Sequence, residues 1–433
     1  MLVMLTAGSI EAGTYATSAH AGSGTPANGL SRTATTAYAT GSCAHCHEQH
    51  ASIGGSELAP TGGPDPYLGM ALEQNLCLAC HTSTGSVSDS VPTPDNINTD
   101  ITRTYNHDGT LSDALHRAGE NFDTFTASPH VECGDCHNSH VARKGNHTAG
   151  SRYQTVNGNL IDNSGSGPSP LEGVSGAAQA YGGATNWSAP SQASYTLQTA
   201  TKEYEICFKC HSGANPNWAS WDGAGAAAWS DVGQEFNTKN KSFHPVVAAL
   251  NVAGSGSTVL VSAQLANGWA PGDTMYCSDC HGNVGAGVQG PHGSATKWML
   301  SGTNKAWPYT SAANNGTSAG TYFALGGTTA NLFCMNCHQD PTSASSNNAH
   351  RRNDHAGIDC VECHIRVPHG GKVSRLINAN NNGAGALPAR YFPNGNGGGT
   401  PQMVRFSKNA DKDNYSSGDC EGTCRHSGGS ESW

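Results

Sequence analysis

Residues 41–50 read GSCAHCHEQH, with two cysteines and three histidines between Cys43 and His50. The spacing C-x-x-C-H is that of covalent c-type haem attachment, in which two thiols add across the haem vinyl groups and the adjacent imidazole ligates the iron. Positions i, i+3 and i+4 share one face of a helical turn, so Cys43, Cys46 and His47 reach a single flat macrocycle from one side. His50 lies one turn beyond His47 on nearly the same face. It cannot swing to the opposite axial position of the haem that His47 holds, so as a ligand it would serve a second haem.

The pattern recurs as CLACH 77–81, CGDCH 133–137, CFKCH 207–211, CSDCH 277–281, CMNCH 334–338 and CVECH 360–364, making seven sites. With 16 Cys and 21 His scattered at random over 433 residues, roughly 0.03 such windows would occur by chance. Zinc ribbons pair one C-x-x-C with a second Cys or His pair, whereas here each pair carries its own histidine. The attachment cysteines are therefore Cys43, Cys46, Cys77, Cys80, Cys133, Cys136, Cys207, Cys210, Cys277, Cys280, Cys334, Cys337, Cys360 and Cys363. The proximal ligands are His47, His81, His137, His211, His281, His338 and His364, and the implied cofactor is seven covalently bound haem c.

Two cysteines remain, in CEGTCRH near the end of the chain. Cys420 and Cys424 are one residue too far apart for the motif, and a local disulfide is the simpler expectation in an oxidising compartment.

Leu, Ile, Val and Phe make up about 13% of the chain, below the roughly 20% at which a sequence is suspected of being disordered. Such a chain buries too little apolar side chain to offset its conformational entropy. Haem would supply the missing apolar surface. The expected fold is mostly irregular coil with short α-helices at the attachment motifs and few strands, built on a haem-stack core as in multihaem cytochromes c. The 55 glycines, with many Ser, Thr and Asn, fit long irregular connections. The stretch 148–200 shows no sustained helical period and reads as a structureless loop pinned at both ends.

Even spacing of the motifs predicts one continuous electron-transfer unit over 41–433, with 1–40 as an N-terminal arm or processed leader. No run of about 18 apolar residues occurs, so no membrane span is expected. Haem attachment takes place outside the cytoplasm, which implies export to an extracellular or cell-surface location. The net charge of -10 disfavours nucleic acid and an anionic membrane as partners. Arg143, Lys144, Arg351 and Arg352 lie near motifs and could engage haem propionates.

Fourteen histidines remain beyond the proximal set, enough to give every iron a second imidazole. An iron closed on both sides passes electrons but binds no substrate. The candidates for the second axial position are His50, His116, His130, His140, His244, His292, His355 and His369, placed beside motifs or in turn-like settings. His20, His107, His147 and His350 rank behind them, and His45 and His426 are read as non-ligands. Methionine is the weaker alternative, since histidine is in surplus and Met335 sits inside a motif.

The order CAHCHEQH, NLCLACH, SPHVECGDCHNSH, a long Gly/Ser/Asn/Thr connection, CFKCHSG and FHPV resembles the filament-forming outer-surface multihaem cytochromes, the nanowire proteins of the OmcS type. The resemblance spans about 40–340 and rests on motif order. It implies a homopolymer in which His50 ligates a haem of the next subunit, with Cys277, Cys280 and His281 as the matching acceptor, and electrons passing from redox donors to extracellular acceptors. The sequence departs from that pattern in its further site at 360–364 and its CEGTCRH tail. Two other functions stay open. One is a monomeric periplasmic electron shuttle. The other is a nitrite- or hydroxylamine-type multihaem oxidoreductase, although no C-x-x-C-K site marks an open iron.

Overall fold

The computed structural model describes residues 15–22, 29–31, 38–47, 73–82, 96–107, 131–143, 171–179, 194–215, 231–240, 242–250, 262–283, 290–315, 320–340, 350, 356–371 and 374–377, and the backbone of short strands at 52–53, 56–57, 403–406, 414–415, 420–422 and 431–432. The architecture is mostly coil with short helices and small strand pairs, as the composition predicts. No described helix is long and apolar enough to cross a membrane.

Helix forms where the motifs are. Cys133–Cys136, Cys277–Cys280 and Cys360–Cys363 are four-residue α-helices, and the fourth motif ends the nine-residue helix Glu203–His211. The first and sixth motifs begin in 3-10 turns at Cys43–His45 and Phe333–Asn336. At six motifs the histidine N–H donates to the carbonyl of the first cysteine at 2.9 Å, the i to i−4 bond that sets both thiols and the ring on one face. In the third and fifth motifs the residue before the second cysteine caps the turn. Asp135 Oδ2 accepts from Glu132 N (2.8 Å) and Asp279 Oδ2 from Tyr276 N (2.7 Å), satisfying donors that a helix start would otherwise leave bare.

All described strands pair antiparallel in twos. The longest pair, β4 (Ser175–Gln179) with β5 (Tyr195–Thr199), lies inside the stretch expected to be structureless. YTLQT has the β-branched and aromatic content of a strand, but its partner SGAAQ is too small-sided to announce itself. That smallness is what the packing needs, because a Cβ on Gly176 would lie 2.8 Å from Ala200 Cβ and 2.9 Å from Glu205 Cβ. Two minimal ladders join distant segments: β3 (Tyr105–Asn106) with β7 (Gly293–Ser294), and β6 (Ser242–Phe243) with β8 (Gly370–Gly371).

The apolar side chains form small separate groups. One gathers Tyr204, Phe208, Phe236, Val246, Val247, Trp269 and Met275, and another gathers Trp307, Phe323, Leu332 and Val361. Motif cysteines border each of them: Cys277, Cys280 and Cys337 the first, Cys334 and Cys360 the second. The segment expected to be an arm is tied to the body. Ala19 N donates to Ala142 O (2.9 Å), Leu30 N to His20 O (2.7 Å) and Gly41 N to Leu30 O (2.7 Å).

Candidate haem-binding histidine pairs

Fifteen histidines are described, and fourteen of them fall into seven pairs, each made of one motif histidine and one histidine from elsewhere. In motif order the ring-centre separations are 5.8 Å for His47 and His140, 6.5 Å for His81 and His20, 6.0 Å for His137 and His292, and 5.9 Å for His211 and His107. They continue as 6.1 Å for His281 and His369, 6.2 Å for His338 and His244, and 5.9 Å for His364 and His350. An imidazole nitrogen sits about 2 Å from a bound metal and about 1 Å from its ring centre, so two rings on opposite sides of one metal have centres roughly 6 Å apart. All seven pairs have that separation. The residues present therefore fit haem held by two thioethers and two imidazoles at each site.

Ring orientation agrees. Nδ1 lies against a backbone carbonyl at His20 (Ser139 O, 3.0 Å), His107 (Pro291 O, 2.7 Å), His281 (Trp298 O, 2.6 Å), His364 (Arg375 O, 3.2 Å) and His244 (Pro368 O). A ring that donates through Nδ1 leaves its Nε2 lone pair for a metal. Burial pushes the rings toward the neutral form, His211 and His292 down to about 3 and His281, His338 and His369 down to about 4. Neutral imidazole is the ligating form. Burial also pushes the thiols of Cys210, Cys337, Cys360 and Cys363 up to about 12. No disulfide joins the fourteen motif cysteines.

The two minimal ladders explain how remote histidines are delivered. His107 follows β3 and His292 precedes β7, and His107 N donates to His292 O at 3.0 Å. His244 follows β6 and His369 precedes β8, and His244 N donates to His369 O at 2.8 Å. Each ladder thus holds two histidines back to back, one for each of two successive motifs. Both use Pro-His-Gly, at 291–293 and 368–370, and at both glycines a side chain is impossible. A Cβ on Gly293 would lie 1.9 Å from Asp100 O, and one on Gly370 1.8 Å from Glu235 O.

Successive sites are neighbours. His140 feels the charge of His47 and His20, His292 that of His137, His107 and His81, and His211 that of His107, His281 and His369. His244 feels His369, and His338 feels His244 and His364. The sites therefore follow one another in space as in sequence. Side chains tie them together. The buried Lys209, in the fourth motif, donates from Nζ to Asp135 O in the third (2.7 Å). Glu203 accepts from Ser278 N and Oγ in the fifth, both at 2.8 Å. Asn336, in the sixth, donates to Asn304 O (2.8 Å) and Ser301 O (3.3 Å), while Ser301 N donates to Cys280 O (3.0 Å). Glu203, Cys207 and Cys277 converge within 4.8 Å. Each of these cysteines belongs to a complete motif, so the cluster reads as two attachment edges meeting.

Of the residues proposed from sequence for the second axial position, His140, His244, His292 and His369 lie opposite motif histidines. His140 faces His47 and not its neighbour His137. His50, His116, His130 and His355 lie outside the described residues, as do His147, His426 and Cys424. His20, His107 and His350, ranked lower from sequence, occupy the remaining three places. His45 is buried against Tyr38, with Nε2 3.1 Å from Ala39 O. Arg143, considered for propionates, is engaged bidentately by Glu172 (2.7 and 3.0 Å). Lys144, Arg351 and Arg352 lie outside the described residues.

Residues 276–365, which carry the last three motifs, match the family model for cytochrome c554 and c-prime. No curated protein and no solved structure matches the chain. The match supports a c-type cytochrome carrying covalent haem c in an electron-transfer role.

Proposed function

We propose that the chain is a seven-haem electron carrier whose irons are each ligated by two histidines of the same chain. The seven ring pairs carry this reading. Cys and His of each motif would hold the haem from one side, and His140, His20, His292, His107, His369, His244 and His350, in motif order, would close the other. When bound, haem supplies a one-electron ferric/ferrous couple that no side chain of the site provides. The paired histidines would hold each iron from both sides and leave no room for substrate, the sites follow one another in a row, and small apolar groups border the motif cysteines. A row of closed sites suits conduction through the molecule and leaves no open position for a nitrite- or hydroxylamine-type reaction. Covalent haem attachment, which takes place outside the cytoplasm, would go with export of the protein.

The nanowire resemblance adds a polymer. Its ligand-sharing form needs an iron for His50, and the fifth and seventh sites already have His369 and His350 opposite their motif histidines. If copies of this chain assemble, contacts other than an axial bond would join them. Electron microscopy of concentrated protein distinguishes filaments from a monomeric shuttle.

Intact mass of the matured protein should show seven haem additions, and a smaller number would remove the reading at the missing site. Ring planes make a second prediction. Sites one, three and seven have nearly parallel rings, at 8°, 22° and 11°. Sites two, four, five and six are crossed, at 75°, 57°, 70° and 65°. Parallel axial rings split the iron π-type d orbitals, and crossed rings leave them nearly degenerate. EPR of the oxidised protein should therefore show two low-spin classes in a three-to-four ratio, ordinary rhombic and strongly anisotropic. A single class would refute the ring geometry.

A further inference from the structure

The two Pro-His-Gly copies are built alike but differ in what meets the ring. In the first, the carboxylate of Asp100 is held off: Asn283 Nδ2 donates to Asp100 Oδ2 (3.1 Å) and lies 3.4 Å from His292 Nδ1. In the second, the carboxylate meets the ring directly, with Glu235 Oε2 2.7 Å from His369 Nδ1. Glu235 is 0% exposed. It ends the helix Val232–Glu235, whose start is capped by Asp231 Oδ1 accepting from Gly233 N (2.9 Å). The missing side chain at Gly370 lets the Glu235 carbonyl press against the residue after His369, and Phe236 lies on the His369 ring at 4.7 Å. The carboxylate is thus built into place.

Resting on the reading of His369 as an axial ligand, we propose that Glu235 is the positioning residue that sets the potential of the fifth site, holding it below the value it would have with a neutral acceptor. Two effects act in the same direction. A carboxylate that accepts the Nδ1–H makes the imidazole a stronger donor than a carbonyl or amide does, which favours the ferric state. A buried negative charge favours the iron that carries the extra positive charge, because little solvent screens it there. The third site, with Asn283 between its histidine and Asp100, is the internal counterpart without this contact.

The test is a spectroelectrochemical titration of the full-length, haem-loaded protein, with Glu235→Gln compared to wild type. One of the seven one-electron steps should shift to higher potential, by about tenfold in its equilibrium constant or about 59 mV, while six stay in place and all irons remain low-spin. Glu235→Asp, which keeps the charge but shortens the reach, should move the same step the same way by less. It also serves if the Gln variant does not accumulate. Seven unmoved steps in either variant would overturn the proposal. The underlying assignment is checked separately with His369→Ala. One new high-spin iron upholds His369 as a ligand whatever Glu235 does, and none removes the ligand reading and the tuning with it.

Discussion

His292→Ala should convert one of the seven irons from low to high spin and leave the other six unchanged. His292 faces His137 at 6.0 Å with ring planes 22° apart, and burial holds its imidazole neutral, down to about 3, aided by His137, His107 and His81. Among the described residues His292 is the histidine that faces His137, and an alanine there removes it. Attachment needs Cys133, Cys136 and His137 alone, so mass should still show seven haems. Resonance Raman or EPR would then report a high-spin fraction of one in seven, and added imidazole should restore the low-spin form. His50→Ala is the paired control. If each pair closes its own iron, that variant keeps every iron low-spin. A high-spin haem in His50→Ala would instead reinstate an axial bond from His50, to this chain or to a neighbouring copy. A fully low-spin His292→Ala would show the pairing at the third site to be wrong.

The proximal half of each site was legible in the sequence because five adjacent residues encode it, and one helical turn brings them onto one face. The distal half was legible only in part. His140 and His292 sit in local contexts that mark them, three residues past a motif and in a Gly-Pro-His-Gly turn. His107 looked unremarkable in YNHDG, yet it is held by the ladder that holds His292. The signal that could have found both ladders is the repeated Pro-His-Gly at 291–293 and 368–370, with a histidine following a short extended segment as its partner. His20 and His350 had no such mark, because their places depend on contacts with remote backbone, as in the bond between His20 Nδ1 and Ser139 O. The β4–β5 pair escaped for a related reason: its inner strand is mostly small residues, with Gly176 against Ala200 and Glu205, which leaves no hydrophobic period to read. Coil with short motif helices was legible from composition, since a chain so poor in large aliphatic residues has little else to build from.

That poverty leads to the largest expected effect. Made without haem attachment, for example with all fourteen motif cysteines replaced by serine, the chain should not fold at all. The apolar groups around Phe208 and around Phe323 are small, separate and bordered by motif cysteines, so each would form one wall of a haem site. Ordering a residue costs on the order of 1–2 kcal/mol of backbone entropy, and two-residue ladders such as β3–β7 and β6–β8 return little of it. The fourteen thioethers act on the other side of the balance by cross-linking the unfolded chain through a rigid cofactor, in the manner of loop-closing disulfides. The buried imidazoles depend on the same cofactor: burial pushes His211 and His292 down to about 3, and a bond to iron is what would offset the desolvation of these rings. Far-UV circular dichroism of the serine variant should show coil with no cooperative thermal transition, and limited proteolysis should cut it throughout, while the haem-loaded protein resists both. Replacing only Cys360 and Cys363 gives the graded form of the test. Protection should be lost first where the seventh site packs, around Phe323, Leu332 and Val361, and retained around Phe208. An apo chain that melts cooperatively would show that the polypeptide carries a core of its own, and that the haems are held by the fold instead of creating it.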